Sequence, residues 1–150
     1  MYAGPGDYTV SILGEMTGFG FGRVGYGGDP DPTKSRKKLV DIQNWGCVRL
    51  GDDGHQFFQC SNLGQVSARD VPDLRGVTNM NGMFRGASSF QSDLSQWDVS
   101  QVTNMAYMFY GASSFQSDLS QWDVSQVTDM AHMFNGASSF QRDLSPRKRR

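Results

Sequence analysis

A 25-residue sequence recurs along the second half of the chain, and it limits the possible folds more than any other feature. Val77–Gln101 reads VTNMNGMFRGASSFQSDLSQWDVSQ and Val102–Gln126 reads VTNMAYMFYGASSFQSDLSQWDVSQ. They differ only at 81/106, 82/107 and 85/110, so 22 of 25 positions are identical. Val127–Ser145, VTDMAHMFNGASSFQRDLS, repeats the first 19 positions again. A unit this short cannot enclose a core by itself, so successive units have to bury their apolar side chains against each other.

Fainter copies lie upstream. Asp41-Ile42-Gln43-Asn44-Trp45 matches Asp93-Leu94-Ser95-Gln96-Trp97 as D-[IL]-x-x-W, and Pro72–Val77 falls one period before Trp97–Val102. Phe57–Leu63 can be laid over Met83–Ser89. In Met105-x-x-Met108-Phe109-x-x-Ala112 the apolar residues fall at i, i+3, i+4 and i+7. That spacing predicts a short helix, started by Thr103 or Asn104 and ended by Gly111. Asp118–Val124 predicts a short strand. The expected fold is therefore an α/β repeat solenoid with one helix and one strand per unit. Its core column is Val102, Met105, Met108, Phe109, Phe115, Leu119, Trp122 and Val124.

The first forty residues are different. Tyr8–Leu13 reads as a strand, and a second over Phe19–Val24 would complete a hairpin covering the edge of the repeats. The 18 glycines of the chain, many of them here, indicate tight turns. The expected organisation is a β-rich N-terminal cap and loop over 1–37, degenerate repeats over 38–76, regular repeats over 77–145 and a basic tail over 146–150.

The pattern VTNM-x-x-MF-x-GASSF-x-x-DLS-x-WDVS resembles the 25- to 26-residue repeat of BspA-like leucine-rich-repeat surface proteins. The resemblance covers Val77–Ser145 and continues more loosely through Leu39–Trp45, Phe58–Leu63 and Pro72–Val77. It implies a leucine-rich-repeat-like solenoid on the cell surface or outside the cell. It also implies adhesion or recognition of a protein or glycan on a host or neighbouring cell, with no catalytic motif. No signal peptide is visible, and the third copy stops mid-unit, so the chain reads as a fragment of a longer protein. The rival reading is a purely structural stalk or spacer.

Composition and motifs narrow the function classes. The net charge is −1, which gives no argument for nucleic acid, and no apolar run reaches the ~20 residues of a membrane-spanning helix. GxxxxGK[ST], HExxH and GxSxG are missing, and His55 and His132 are the only histidines. No enzyme, cofactor or metal is expected on these grounds. Gly20–Gly25 satisfies G-x-G-x-x-G, but the Gly-Gly-Asp-Pro that follows cannot continue a helix, so it reads as a glycine-rich loop. Cys47 and Cys60 read as two small thiols, with one disulfide as the alternative. Asp98 and Asp123, with Asp73, form one column, and Asp93, Asp118 and Asp143 another. Turn amides are the expected partners of these carboxylates, ahead of a bound cation.

Two columns vary while the rest is constant: Gly82, Tyr107 and His132 in one, Arg85, Tyr110 and Asn135 in the other. Arg85, Tyr107, Tyr110, His132 and Asn135 are therefore the candidate partner-binding residues, since Arg and aromatic side chains dominate interface hot spots. The alternative is the uniform surface where Ser95, Gln96, Ser100 and Gln101 recur as Ser120, Gln121, Ser125 and Gln126. It suits a repetitive ligand. The third copy ends at Leu144-Ser145, and this open edge predicts end-on self-association, opposed by the charge of Arg147–Arg150.

Overall fold

A computed structural model describes residues 16–19 and 36–141. The expected strand over Tyr8–Leu13, the Gly20–Gly25 loop, Asp143 and the basic tail lie outside the described residues. Strand β1 (Met16–Phe19) pairs in parallel with β2 (Val48–Leu50). The expected hairpin falls largely outside the described residues, and the partner of β1 is a strand of the degenerate region.

Each regular unit is hydrogen-bonded to the next. The amides of Met80, Gly82, Phe84 and Gly86 donate to the carbonyls of Asn104, Ala106, Met108 and Tyr110 at 2.8–2.9 Å. Met105, Tyr107, Phe109 and Gly111 repeat this with Asp129, Ala131, Met133 and Asn135. Isolated parallel bridges join Asn79 to Asn104 and Asn104 to Asp129.

These bonds replace the expected helix, and in place of the expected strand Asp118–Val124 contains a turn, in which the Trp122 amide donates to the Leu119 carbonyl at 3.0 Å. Among residues 77–141 the backbone forms turns and single bridges, with no helix or strand. In 80–87 the amides alternate: every second one leaves for the neighbouring unit, while Met83, Arg85 and Ala87 donate to Met80, Gly82 and Phe84, three residues back. A helix would use all of them internally. The i, i+3, i+4, i+7 pattern still faces one side, because consecutive three-residue turns return the chain to the same face at a similar rate.

The turns require a left-handed residue at two places per unit. Gly82, Tyr107 and His132 have φ of 59°, 55° and 54°, and Gly86, Gly111 and Gly136 have 75°, 71° and 77°. His55 at 59° and Gln59 at 56° occupy the same two places in the degenerate unit. The step from His55 to Gly82, like that from Gln59 to Gly86, is longer by two positions than the later steps. Amides of His55, Phe57 and Gln59 donate to Asn81, Met83 and Arg85 in that register. Phe57 therefore lies over Phe84, with ring centroids 5.3 Å apart, and not over Met83 as the sequence alignment has it.

The core is a pair of phenylalanine columns flanked by methionine and tryptophan. Phe57, Phe84, Phe109 and Phe134 stack at 5.3, 5.7 and 5.6 Å. Phe90, Phe115 and Phe140 stack beside them at 6.1 and 5.6 Å. Val102, Met105, Met108, Leu119 and Trp122 are buried with them, whereas Val124 is 40% exposed. Its equivalent Val99 is buried, and the next residue of that column is Arg149, outside the described residues. The Trp122 indole N–H donates to the Leu94 carbonyl at 2.9 Å, tying one unit to the one before it.

Polar side chains run in ladders along the outside. The Thr103 and Thr128 hydroxyls donate to the Thr78 and Thr103 carbonyls at 3.2 Å. Below Thr78 the acceptor changes: the Asp52 carboxylate takes the Thr78 and Asn79 amides. The equivalent amides of Thr103 and Asn104 go to the Thr78 carbonyl. Asp52 thus stands in for a missing backbone acceptor at the first regular unit.

Candidate functional site

Tyr107 and His132, and the residues at the place three further on, Arg85, Tyr110 and Asn135, are half-buried or exposed. This turn face carries both variable columns. Arg85 is half-buried, and its guanidinium carbon lies 5.8 Å from the Phe58 ring centroid, 5.3 Å from that of Tyr107 and 5.0 Å from that of Tyr110. The Tyr107 and Tyr110 rings are 5.9 Å apart. His132 stacks on Tyr107 at 5.1 Å and 25°. A guanidinium over aromatic faces is held by the ring quadrupole, at about 0.5–2 kcal/mol per contact according to exposure.

Four of the five candidate residues therefore meet. Arg85, Tyr107, Tyr110 and His132 form one cluster. Asn135 is exposed in the same column as Tyr110, and its carbonyl accepts the Gly111 amide. The cluster also has members that the sequence reading missed. Phe58 occupies the Arg85 column one unit earlier, and the Arg36 guanidinium carbon sits 5.1 Å from its ring. His55 occupies the Tyr107 column, with its ring 5.6 Å from Phe58. Allowing the degenerate unit a slightly longer step would have revealed both.

His55 is held neutral more firmly than a free histidine. Partial burial lowers its pKa first, and the charges of Arg85 and then Arg36 lower it further. The His55 ring also explains Gly82, since a Cβ there would come within 2.6 Å of it. Bulky residues at positive φ are rare, because the left-handed region costs a non-glycine residue ~1–2 kcal/mol. Tyr107 and His132 incur that cost, which points to a use for their side chains.

The second surface is polar and regular. A shallow groove of about 490 Å³ is lined by Gln91, Asp93, Gln96, Gln116, Asp118 and Gln121, among others. Asp93 and Asp118 in the groove, and Asp98 and Asp123 outside its lining, are engaged in turns. Asp93, Asp98, Asp118 and Asp123 each accept the amide of the serine two residues on, at 2.9–3.1 Å. The Ser100 hydroxyl and then its amide hold Asp98 below the usual carboxylate range, against the neighbouring charge of Asp123. Ser125 does the same for Asp123. Among the described residues no three His, Cys, Asp or Glu side chains gather as a metal site.

Cys47 is exposed and Cys60 buried, and both are free thiols. Burial pushes the Cys60 thiol up to about 12. Among the described residues no helix is long and apolar enough to cross a membrane.

A family model described as "Mycoplasma protein of unknown function, DUF285" matches residues 50–148. The comparison with curated proteins returned no match, and neither did the comparison with solved structures.

Proposed function

The chain belongs to the DUF285 family, and from that premise we propose that it is a non-catalytic recognition module of the BspA-like leucine-rich-repeat type. In this reading the units wind as a leucine-rich-repeat-like solenoid at a cell surface or outside the cell. The backbone bonds between successive units support the solenoid.

The observation that carries the functional reading is the cluster of Arg85 with Phe58, Tyr107 and Tyr110. It is assembled from three successive units, at the columns where otherwise near-identical copies differ. A spacer needs only the buried columns and polar ladders, which are uniform. It has no use for bulky residues held at positive φ on the outside.

The test is saturable binding of the labelled chain to intact host or neighbouring cells. Recognition predicts a saturating isotherm that unlabelled chain competes away. A spacer predicts a linear, non-competed signal.

A further inference from the structure

We propose that Arg85 and the rings around it form a receptor for a side-chain carboxylate on an acidic segment of a partner protein. This deepens the recognition reading and rests on it.

The Arg85 side chain makes no hydrogen bond or ion pair among the described residues; its guanidinium lies against three rings. Its N–H donors are therefore unused among the described residues, and a guanidinium fork matches a carboxylate with two parallel bonds. The rings have already fixed the side chain, so little of its freedom remains to be lost on binding.

The Phe58 ring has two guanidiniums near it, with Arg36 at 5.1 Å and Arg85 at 5.8 Å. Arg36 is only 3% exposed and donates to the Gln59 Oε1 at 3.5 Å. An anion docking at Arg85 gains from the charge of its guanidinium. His55 beside them is kept neutral, as its lowered pKa indicates, and adds no third charge at neutral pH.

The neighbouring rings favour a peptide over an acidic sugar. Tyr107 contacts Arg85 from the preceding unit and His132 from the following one. The Arg85 guanidinium also lies over Tyr110. These side chains pack on one another, which suits an extended chain that offers a carboxylate to Arg85 and an apolar side chain to the exposed Tyr110 ring. Arg and Tyr are also the residues over-represented where protein partners bind tightly.

The experiment titrates the full chain against poly(Glu,Tyr) copolymer, with hyaluronan as a carboxylated-sugar arm. The expected result is binding of poly(Glu,Tyr) that Arg85→Gln weakens about tenfold, the scale of one charge-assisted hydrogen-bonded pair. Arg149→Gln removes an equal charge elsewhere and is expected to change affinity less than threefold. Arg85→Lys keeps the charge without the flat fork and is expected to stay weak. Equal binding by Arg85→Gln, full rescue by Arg85→Lys, or Arg85-dependent binding of hyaluronan alone would each overturn the receptor. So would no binding of poly(Glu,Tyr) at all. Saturable cell binding that is indifferent to Arg85→Gln removes this receptor while the recognition reading stands. Absent cell binding removes the recognition reading instead, and the titration still decides the receptor.

Discussion

Phe84 and Phe109 lie face to face with ring centroids 5.7 Å apart and planes 1° from parallel, although they belong to different units of the repeat. Phe109 also meets Phe115 at 3.9 Å, Phe134 at 5.6 Å and Trp122 at 6.5 Å. It therefore touches rings of its own unit and of both neighbours. Phe109→Ala is expected to destabilise the chain by about 3–5 kcal/mol, the range for aromatic deletions in packed cores. Urea denaturation measures it. A loss below about 1 kcal/mol would mean that the columns do not carry the fold.

Gly82→Ala is expected to cost more than Gly76→Ala. Both glycines have positive φ, so at both a Cβ would enter the left-handed region. Only at Gly82 does the Cβ meet another group, the His55 ring at 2.6 Å; at Gly76 nothing lies within 4 Å. The expected costs are about 1 kcal/mol at Gly76 and about 2–3 at Gly82. In a His55→Ala background the Gly82→Ala cost should shrink. Thermal denaturation of the parent, Gly82→Ala, His55→Ala and the double variant forms the cycle, and additive effects would show that the His55–Gly82 contact is not made.

Much of the core and part of the site can be read in the sequence, and the misses have physical causes. Met105, Met108, Phe109, Phe115, Leu119 and Trp122 recur at fixed spacing, and their burial follows from the repeat where a further unit covers them, whereas Met130 in the Met105 column of the last unit is 41% exposed. The helix at Met105–Ala112 does not follow, because apolar spacing reports which side a residue faces and not where its amide donates. The amides of Tyr107 and Phe109 go to Ala131 and Met133 in the next unit. Arg85, Tyr107 and Tyr110 stand out as variation within near-identical copies. His55 and Phe58 are hidden, because the degenerate unit takes a longer step than the regular ones, and an alignment off by one moves every side chain to another column.

Acid should weaken the fold in two stages. The folded pKa of His55 lies below its ordinary value of 6.5. The unfolded chain therefore binds more protons as pH falls through that value, and stability drops with it. Asp93, Asp98 and Asp123 lie below their ordinary 3.8 when folded, through their serine bonds. Their contribution is full above that value and is lost as pH falls through their folded pKa. Denaturation midpoints from pH 8 to 3 should show a shallow decline beginning near 6.5, then a steeper one below about 4. His55→Gln should remove the first stage alone. A first stage that persists in that variant would rule out His55 as its origin.

The two thiols should differ in reactivity. Cys47 is exposed, and Cys60 is buried with its thiol pushed up to about 12. At pH 8 an alkylating reagent is expected to modify Cys47 in the native chain and Cys60 only once the chain is unfolded, since the thiolate is the reacting form. Equal rates at both would show that the Phe57–Leu63 turn is open in solution.

The central claim is that recognition occurs on the turn face, and comparing its removal with that of the opposite surface tests it most directly. The measurement is saturable cell binding by Tyr107→Ala/Tyr110→Ala and by Gln96→Ala/Gln121→Ala, both checked for unchanged melting. The turn-face account predicts that the tyrosine pair loses at least tenfold in affinity, the loss of two aromatic anchors. It predicts that the glutamine pair binds like the parent chain. Unchanged binding by the tyrosine pair together with failure of the glutamine pair would contradict it and assign recognition to the regular Gln/Ser groove.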